Sequence, residues 1–313
     1  MIQPTRTLVL MGGPDAEREV SIMSGEQVAA ALRADPGIEV VALTVDTPTA
    51  RELLAHRPDV VFPVLHGPFG EGGPMQDILE SMHVAYVGCR PKAAAIAMDK
   101  VLTKTLVSAA GVLTPGSREL HRGEAPDIAP PIVIKPANEG SSVGLTICQT
   151  TEQAVQAAAQ LFAIGKRVLA ESYIRGREIT VGIVDGEVLP IIEIVPAVEY
   201  YDYQAKYHRD DTRYVLDPEL PAAVAEAARR FTRIAWECVG CRDLARADFL
   251  VDERGPWFLE INTMPGMTTH SLVPKAALHA GVTMTELCAR LVRGALARFG
   301  ELAAPPAGRN TGR

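Results

Sequence analysis

A lysine that precedes a run of glycine and serine stands near the middle of the chain, in the segment VIKPANEGSSVGLT (residues 133–146). A P-loop has its glycines first and its lysine last, so the order here is reversed. Lys135 ends an apolar run typical of a strand, and the Gly-Ser turn offers backbone N–H groups that can bind an anion. Taken alone, Lys135 also fits a surface lysine on an edge strand, and the loop also fits an ordinary β-turn.

A second segment, ARADFLVDERGPWFLEINTMPGMTTHS (residues 245–271), predicts a β-hairpin with two acids, Asp248 and Glu260. Side chains alternate between the two faces of a strand. Each strand of the hairpin therefore presents three residues on one face, which are Arg246, Asp248 and Leu250 on the first strand and Phe258, Glu260 and Asn262 on the second.

The register of this hairpin decides what the acids can do. Pairing Val251 with Trp257 brings the two acids opposite each other and Arg246 opposite Asn262. Facing carboxylates repel each other, so in an apolar hairpin they need a cation. Two carboxylates and an amide oxygen suit Mg²⁺, and Mg²⁺ beside a lysine-led loop indicates a nucleoside triphosphate. The alternative is a solvated face on which the arginine neutralises one acid, because the register is open by one residue.

Composition restricts the class of protein. The 313 residues are 47% hydrophobic and 22% charged, as in ordinary globular proteins, with a formal net charge of -7. The acidic balance argues against nucleic-acid or anionic-membrane partners. No apolar run is long enough to cross a bilayer, and the first residues lack a signal-peptide pattern, so we expect a cytoplasmic protein.

The five cysteines are odd in number and scattered, which does not fit a disulfide framework. Cys238 and Cys241 form a CxxC pair, but neither a second ligand pair for zinc nor a thioredoxin context accompanies them. We therefore expect two reduced structural thiols.

Short β-branched runs alternate with Ala- and Leu-rich stretches up to about residue 92, which predicts a parallel sheet with helices on its faces. Farther on, the pattern predicts one helix over residues 92–110, a Thr-capped helix from residue 151, a hairpin turning at Asp185-Gly186 and a helix over residues 221–240. Residues 199–218 form a long Tyr-rich loop, and long loops in compact domains are usually functional.

Seven motifs, in order and with matching spacing, resemble the D-alanine–D-alanine ligase family of the ATP-grasp superfamily. The match runs from Leu8 to about Pro274, and its motifs are GGPDAEREVSIMSG, LHGPFGEGGPMQDILE, AMDKVLTK, IVIKPANEGSSVGL, YYDYQAKY, RADF and LEINTMPGMTTHSLVP. The resemblance implies an α/β (α+β) fold of three domains, with ATP between two antiparallel sheets. These would be an N-terminal parallel α/β substrate domain over residues 1–97, a central ATP-grasp domain over 98–183, a C-terminal ATP-grasp domain with the metal site and a lid over 184–302, and a disordered tail over 303–313.

The resemblance also implies the reaction. The carboxylate of one D-alanine takes the γ-phosphate of ATP and becomes an acyl phosphate. The amine of a second D-alanine then displaces phosphate, which gives D-alanyl-D-alanine and ADP for peptidoglycan precursors. ATP is thus a substrate, Mg²⁺ is expected at two sites where Mn²⁺ can substitute, and a homodimer is usual for the family. The alternative is a sister ligase that joins D-alanine to D-lactate or D-serine.

For ATP, the resemblance assigns seven residues, which are Lys100, Lys135, Ser141, Ser142, Glu171, Glu178 and Lys206. The two lysines Lys100 and Lys135 match phosphate contacts, Glu171 matches the adenine side and Glu178 matches the ribose. Without the family, Glu178 fits a surface acid on a strand equally well. The Mg²⁺ ligands match Asp248, Glu260 and Asn262.

For the amino acids, the resemblance assigns a second set, which is Glu17, His66, Arg246, Gly266, Ser271 and Leu272. Glu17 would bind the first ammonium, although it also fits an acid favoured by a helix dipole. His66 would lie beside the first substrate. Arg246 and the backbone of Gly266 would stabilise the tetrahedral oxyanion, although the MPG motif alone fits a simple turn.

The remaining residues that the resemblance implies complete the site. Ser271 and Leu272 would contact the carboxylate of the second D-alanine. The Tyr-rich loop would be a mobile lid, in which Lys206 approaches the γ-phosphate. Tyr207 would hydrogen-bond with Ser141 and Glu17 and close the site against water.

Several positions depart from the family pattern without removing a catalytic group: Pro14-Asp15, Gly72, Cys89 and Ser172. Among rival classes, a dinucleotide enzyme needs GxGxxG, which GGPDAER is not. An α/β binding protein needs neither the lysine-led loop nor the acidic hairpin. A catalytically dead ATP-binding homologue should have lost at least one of five residues that this chain keeps, which are Lys135, Arg246, Asp248, Glu260 and Asn262.

Overall fold

The first sheet of the computed structural model is parallel, with four strands in the order β2-β1-β3-β4. The structure describes residues 3–140, 144–196 and 212–303. Strands and helices alternate here, as predicted, and are β1 (Thr5–Gly12), α1 (Arg18–Arg33), β2 (Ile38–Val45), α2 (Ala50–Leu54), β3 (Val60–Pro63), α3 (Gly67–Glu71), α4 (Pro74–Ser81), β4 (Ala85–Tyr86) and α5 (Pro91–Met98). The turn after β1 uses Gly12 and Gly13 at φ of 99° and 89°, which glycine adopts readily, and it leads to Glu17 at the start of α1.

A break separates α5 from α6 (Lys100–Ala109), so the prediction of one helix over residues 92–110 was wrong. Asp99 stands between them in an extended conformation, and its carboxylate accepts the N–H groups of Val101 and Leu102. An aspartate in this position starts a new helix. The N–H of Lys100 donates to Ala137 O at 2.8 Å. The alanine-rich propensity hid this cap in the sequence.

The central sheet has four antiparallel strands in the order β5-β8-β6-β7. Its elements are β5 (Ser117–Leu120), β6 (Ile132–Pro136), β7 (Thr146–Cys148), α7 (Thr151–Ala163) and β8 (Val168–Ser172). Helix α7 begins after Thr150, whose side chain accepts the N–H of Gln153, as the sequence predicts. Its small residues Ala154 and Ala158 pack against the sheet in a separate core.

The C-terminal sheet has five antiparallel strands in the order β11-β10-β9-β12-β13. The elements of this part are β9 (Arg177–Val184), β10 (Glu187–Val195), β11 (Arg213–Leu216), α8 (Ala222–Val239), β12 (Leu244–Asp252), β13 (Gly255–Asn262), α9 (Leu272–His279) and α10 (Met284–Ala303). The β9–β10 hairpin turns at Asp185 and Gly186, as predicted. The sheet begins at Arg177 rather than at residue 184, because β9 pairs with β12 along its whole length.

The hairpin of β12 and β13 has the predicted pair of acids, with Asp248 opposite Glu260. Nearer the turn the predicted pairing was wrong, since Trp257 lies opposite Leu250 and not opposite Val251. The register shifts between Asp248 and the next residue, which is the mark of a β-bulge.

The extra residue of the bulge is Leu259, which has no partner in the ladder. Phe258 therefore turns into the core, where it meets Phe249 edge to face at 5.7 Å between ring centroids. The prediction that Phe258 shares a face with the second acid was wrong for this reason. In the described part of the chain, no helix combines the length and apolar character needed to span a membrane.

Candidate active site

A cavity of about 500 Å³ separates the central sheet from the C-terminal sheet. Its walls are largely apolar side chains from both sheets, including Val133, Ile147, Ile194, Leu250 and Leu259. Lys135, Glu171 and Glu178 supply polar groups in the same lining. An apolar slot with a few fixed polar groups suits a flat, partly polar ligand such as a nucleoside.

Lys135 extends from β6, which has β8 on one side and β7 on the other, so the alternative of an edge-strand surface lysine is wrong. Its Nζ lies 2.7 Å from Glu171 Oε2, and only 9% of the side chain is exposed. The other oxygen of Glu171 lies 2.9 Å from Nζ of Lys104. Burial alone would raise the pKa of Glu171, but the two ammonium groups outweigh burial and lower it. Two ammonium groups and one carboxylate leave one net positive charge beside the cleft.

Lys100 is the first residue of α6, and its side chain extends to the acidic hairpin. Its Nζ lies 2.9 Å from Glu260 Oε2 and donates to Glu139 O at 2.5 Å. The helix break at Asp99 sets this direction, since it begins α6 at the lysine. Both lysines predicted to bind phosphate therefore lie in the site, each beside a carboxylate.

Asp248 receives hydrogen bonds from three neighbouring side chains. Arg246 donates from Nε to Oδ1 at 2.9 Å and from Nη2 to Oδ2 at 2.8 Å. Thr180 Oγ1 donates to Oδ1 at 2.6 Å, and Asn262 Nδ2 donates to Oδ2 at 3.1 Å. Arg246 and Asp248 are each 7% exposed, so the alternative of a solvated face is wrong, although the arginine does neutralise this acid.

The chemistry of this face fits Mg²⁺. Asp248 and Glu260 lie directly opposite each other, and Asn262 lies opposite Arg246 on the same hairpin. Among the described residues, no three His, Cys, Asp or Glu side chains form a metal-binding group. The amide oxygen of Asn262 would therefore be the third protein ligand, and carboxylate and amide oxygens are both hard donors.

Glu17 and His66 each lie just before a helix of the N-terminal part of the chain. Glu17 is buried at the N-terminal end of α1, and a Cβ added to Gly140 would lie 3.1 Å from its Oε2. The loop that follows Lys135 therefore passes directly over this acid. His66 is buried before α3, and its Nδ1 lies 3.0 Å from Met264 O.

The loop between β13 and α9 is held by the N-terminal part of the chain. Three of its N–H groups donate to side chains there, which are Met264 to Glu71, Met267 to Ser24 and Thr269 to Gln27. Ser271 Oγ accepts the N–H of Thr268 at 3.0 Å, and a Cβ on Gly266 would lie 2.9 Å from that oxygen. Leu272 begins α9, and the N-terminus of a helix attracts a carboxylate.

A small cavity of about 20 Å³ lies where the two halves of the site meet. Its lining combines Lys100, Glu260 and Asn262 with Glu71 and Gly140. The lysine predicted to bind phosphate and the face that fits a metal thus adjoin the loop over Glu17. The larger cavity between the sheets is lined by Lys135, and this small acid-lined cavity is lined by Lys100.

Two family models match this chain, D-ala D-ala ligase N-terminus over residues 45–89 and D-ala D-ala ligase C-terminus over residues 112–293. The chain is 40% identical over 302 residues to D-alanine--D-alanine ligase of Syntrophotalea carbinolica, which covers 95% of this chain and 98% of that one. The chain belongs to the D-alanine–D-alanine ligase family. Ligase B of Chromobacterium violaceum is 42% identical over 298 residues, 93% of this chain and 98% of that one.

A solved structure agrees with this assignment. The crystal structure of the ligase from Bacillus anthracis complexed with ATP matches with a TM-score of 0.84 at 33% identity. The match covers 96% of this chain and 100% of that one. The expected ATP-grasp fold, with a parallel sheet and two antiparallel sheets, is therefore confirmed for this ligase.

Four predicted site residues of the ligase lie outside the described residues, namely Ser141, Ser142, Lys206 and Tyr207. Most of the predicted lid loop and the tail from residue 304 onward also lie outside. Their roles stay predictions.

Sequence reasoning missed two buried ionisable side chains in the site of the ligase, Glu71 and Lys104. Glu71 accepts the N–H of Gly67 at 3.2 Å and that of Met264 at 3.3 Å. Burial, and then the nearby charge of Glu17, raise the pKa of Glu71 to about 8. The GEGG motif at residues 70–73 contains this acid, but it was interpreted only through its glycines. Lys104 follows Lys100 by four residues, a spacing that places both on one helix face and could have identified it.

Two of the departures from the family pattern, Gly72 and Asp15, contact helix α3 of the ligase. A Cβ on Gly72 would lie 2.4 Å from Pro68 O, so the backbone after α3 has no room for a larger residue here. Asp15 accepts the N–H of Phe69, which lies in α3, at 2.8 Å. Cys238 and Cys241 are free thiols, as the sequence predicted.

Proposed function

We propose that this ligase joins two D-alanine molecules into D-alanyl-D-alanine and converts ATP to ADP and phosphate, as a step in the supply of peptidoglycan precursors. The observation that carries the proposal is the meeting of Lys100, Glu260 and Gly140 at one small cavity. It brings the charges that suit a phosphate within reach of an acid, Glu17, that suits an ammonium. The names of the relatives, D-alanine--D-alanine ligases, supply the substrate.

ATP would lie in the cleft between the two antiparallel sheets. The base would rest between the apolar walls, with Glu171 on the adenine side and Glu178 at the ribose. Lys100 and Lys135 would bind the phosphates, helped by Ser141, Ser142 and Lys206 from the two loops. Phosphoryl transfer depends on positioning and charge neutralisation and needs no protein nucleophile.

Asp248, Glu260 and Asn262 would hold Mg²⁺, at two positions that Mn²⁺ can also take. When bound there, the metal supplies positive charge that orients and neutralises the phosphate oxygens. Arg246 would stabilise the oxyanion of the second step. Its guanidinium is held in place by two hydrogen bonds to Asp248. A guanidinium held in this way costs little reorganisation when negative charge develops beside it.

The first D-alanine would place its ammonium at Glu17, beside His66, with its carboxylate toward the γ-phosphate. One carboxylate oxygen attacks phosphorus, the bond to ADP breaks, and D-alanyl phosphate forms. The second D-alanine would be held by its carboxylate at Ser271 and Leu272. Its neutral amine attacks the acyl carbon, a C–N bond forms, and the C–O bond to phosphate breaks.

The tetrahedral oxyanion of the second step would lie between Arg246 and the N–H of Gly266. Tyr207, hydrogen-bonded to Ser141 and Glu17, would keep the lid closed. A closed lid would exclude water, which would otherwise hydrolyse the acyl phosphate. We place the ligase in the cytoplasm, as a homodimer, on the family resemblance.

The test measures products from the purified chain with ATP, Mg²⁺ and D-alanine at pH 7. We expect dipeptide, ADP and phosphate in equal amounts, and little ester when D-lactate is the acceptor. Mixed dipeptide from D-serine should also be minor. No dipeptide at saturating D-alanine would refute the proposal, and ester or D-serine product at the rate of dipeptide would favour the sister ligase.

A further inference from the structure

Lys104 is a buried lysine that the proposed reaction does not use. It lies in α6, one helical turn after Lys100, and only 3% of its side chain is exposed. Lysine is almost never buried to this degree unless its charge is paired. The cleft lining includes Lys135 and Glu171, while Lys104 reaches Glu171 from within the protein.

The contacts of Lys104 join the two sheets that form the cleft. Its Nζ lies 2.9 Å from Glu171 Oε1, in β8 of the central sheet. The same nitrogen lies 2.8 Å from Thr114 Oγ1 and 3.5 Å from Phe258 O, in β13 of the C-terminal sheet. Thr114 also donates to Phe258 O at 2.9 Å. One ammonium therefore connects both walls at the base of the cleft.

The charge of Lys104 matters for Lys135. Glu171 gives one oxygen to each lysine, at 2.9 Å and 2.7 Å. Without Lys104, Lys135 would be left as the close partner of a buried carboxylate, and the cluster would have no net charge. A polyanionic ligand would then meet a weaker positive potential and a lysine already engaged by an acid.

We propose that Lys104 is a positioning residue for ATP, which neutralises Glu171 so that Lys135 can bind phosphate and which fixes the spacing of the two sheets. This inference rests on the proposed function, since it takes Lys135 to be a phosphate ligand. Burial lowers the pKa of Lys104 to about 8, against the pull of Glu171 and with the charges of Lys135 and Lys100 lowering it further. ATP affinity should therefore fall as the pH rises through this range.

The experiment compares wild type with Lys104→Met, with the double variant Lys104→Met/Glu171→Gln, and with Lys92→Met as a control on the exposed face of α5. Calorimetry gives the Kd of ATP with Mg²⁺ at pH 7 and pH 9, and dipeptide formation gives the KM of D-alanine. Lys104→Met should weaken ATP binding about tenfold or more, because it leaves a buried charge undercompensated. The KM of D-alanine should stay within about twofold, since its pocket keeps its contacts.

The double variant separates charge from packing. It should regain part of the lost ATP affinity, because the uncompensated carboxylate is gone while the amide keeps an acceptor oxygen on the adenine side. It also replaces Lys104→Met should that single variant fail to fold. The loss of ATP affinity between pH 7 and pH 9 should be present in wild type and Lys92→Met and smaller in both Lys104 variants, where Glu71, with a pKa of about 8, still gains charge beside the site.

Three results would overturn the proposal. One is a folded Lys104→Met, of lower Tm, that binds ATP as tightly as wild type. Another is a double variant no better than the single one. The third is the same pH dependence with and without Lys104. Failure of wild type itself to bind ATP or form dipeptide would instead refute the proposed function, so the two failures are distinguishable.

Discussion

The buried carboxyl of Glu71 should make the stability of this ligase fall as the pH rises. Its pKa is raised from 4.5 to about 8, by burial and then by the charge of Glu17, while two backbone N–H groups and Arg246 oppose the rise. At about 1.4 kcal/mol for each pH unit, the difference corresponds to roughly 5 kcal/mol. An acid whose pKa is raised on folding stabilises fully below the unfolded pKa, and that contribution is lost as the pH climbs to the folded pKa.

Glu71→Gln removes the titration and keeps the shape of the side chain. The amide can accept only one of the two N–H groups that the carboxyl accepts, from Gly67 and Met264. The variant should therefore be less stable than wild type at pH 5, by about 1 kcal/mol for the lost hydrogen bond. At pH 9 the order should reverse, because wild type must hold a buried charge that the variant lacks.

The assay is the Tm from scanning calorimetry between pH 5 and pH 9, without substrates. In a chain of this size, 1 kcal/mol moves Tm by about 2 °C, so the Tm difference between variant and wild type should change by roughly 10 °C. Groups that titrate equally in both proteins cancel in this difference. Glu253→Gln, in the exposed β12–β13 turn, should run parallel to wild type. A flat difference for Glu71→Gln would refute the reasoning.

Three further predictions concern the metal ligands, the backbone directly after α3 and the lid. Glu260→Gln should lower dipeptide turnover about 1,000-fold, since a metal ligand is lost; a Mg²⁺ titration of the rate checks this, and a wild-type rate would contradict it. Gly72→Asp should lower the Tm by about 2–6 °C, because its Cβ meets Pro68 O; an unchanged Tm in calorimetry would show that the turn relaxes. Tyr207→Phe should raise ATP hydrolysis without dipeptide, because its hydrogen-bond partners lose the hydroxyl; equal ADP and dipeptide would argue against a sealing role.

The hairpin shows how far sequence reasoning reaches. Alternation and a supposed register placed Asp248 opposite Glu260, and the structure has this pair. The pairing predicted near the turn was wrong, because nothing in the sequence marks Leu259 as the extra residue of a bulge. The extra residue of the bulge shifts the pairing between the acids and the turn, so one register does not hold along the whole hairpin.

Buried charge was the harder feature to predict. The spacing of Lys100 and Lys104 predicts one helix face, but burial depends on which sheet packs against that face. Asp99 is similar: its type permits a cap, but the hydrogen bond from Lys100 N to Ala137 O, which also favours the break, joins residues far apart in the sequence. Local propensity is the weaker influence whenever a distant strand supplies a partner.

The ion pairs of the site link the binding of Mg²⁺ to the binding of ATP. Glu260 is paired with Lys100, and Asp248 with Arg246, so each acid that suits the metal is neutralised by a cation that suits substrate charge. A metal bound to Glu260 would weaken the ion pair of that acid with Lys100, and a phosphate bound to Lys100 would leave the acid more available to the metal. Each ligand thereby lowers the cost of binding the other, which is a positive coupling and must be reciprocal. Mg²⁺ and ATP are thus expected to bind this ligase as a unit, with the lysine exchanging one anion for another and never buried without a partner.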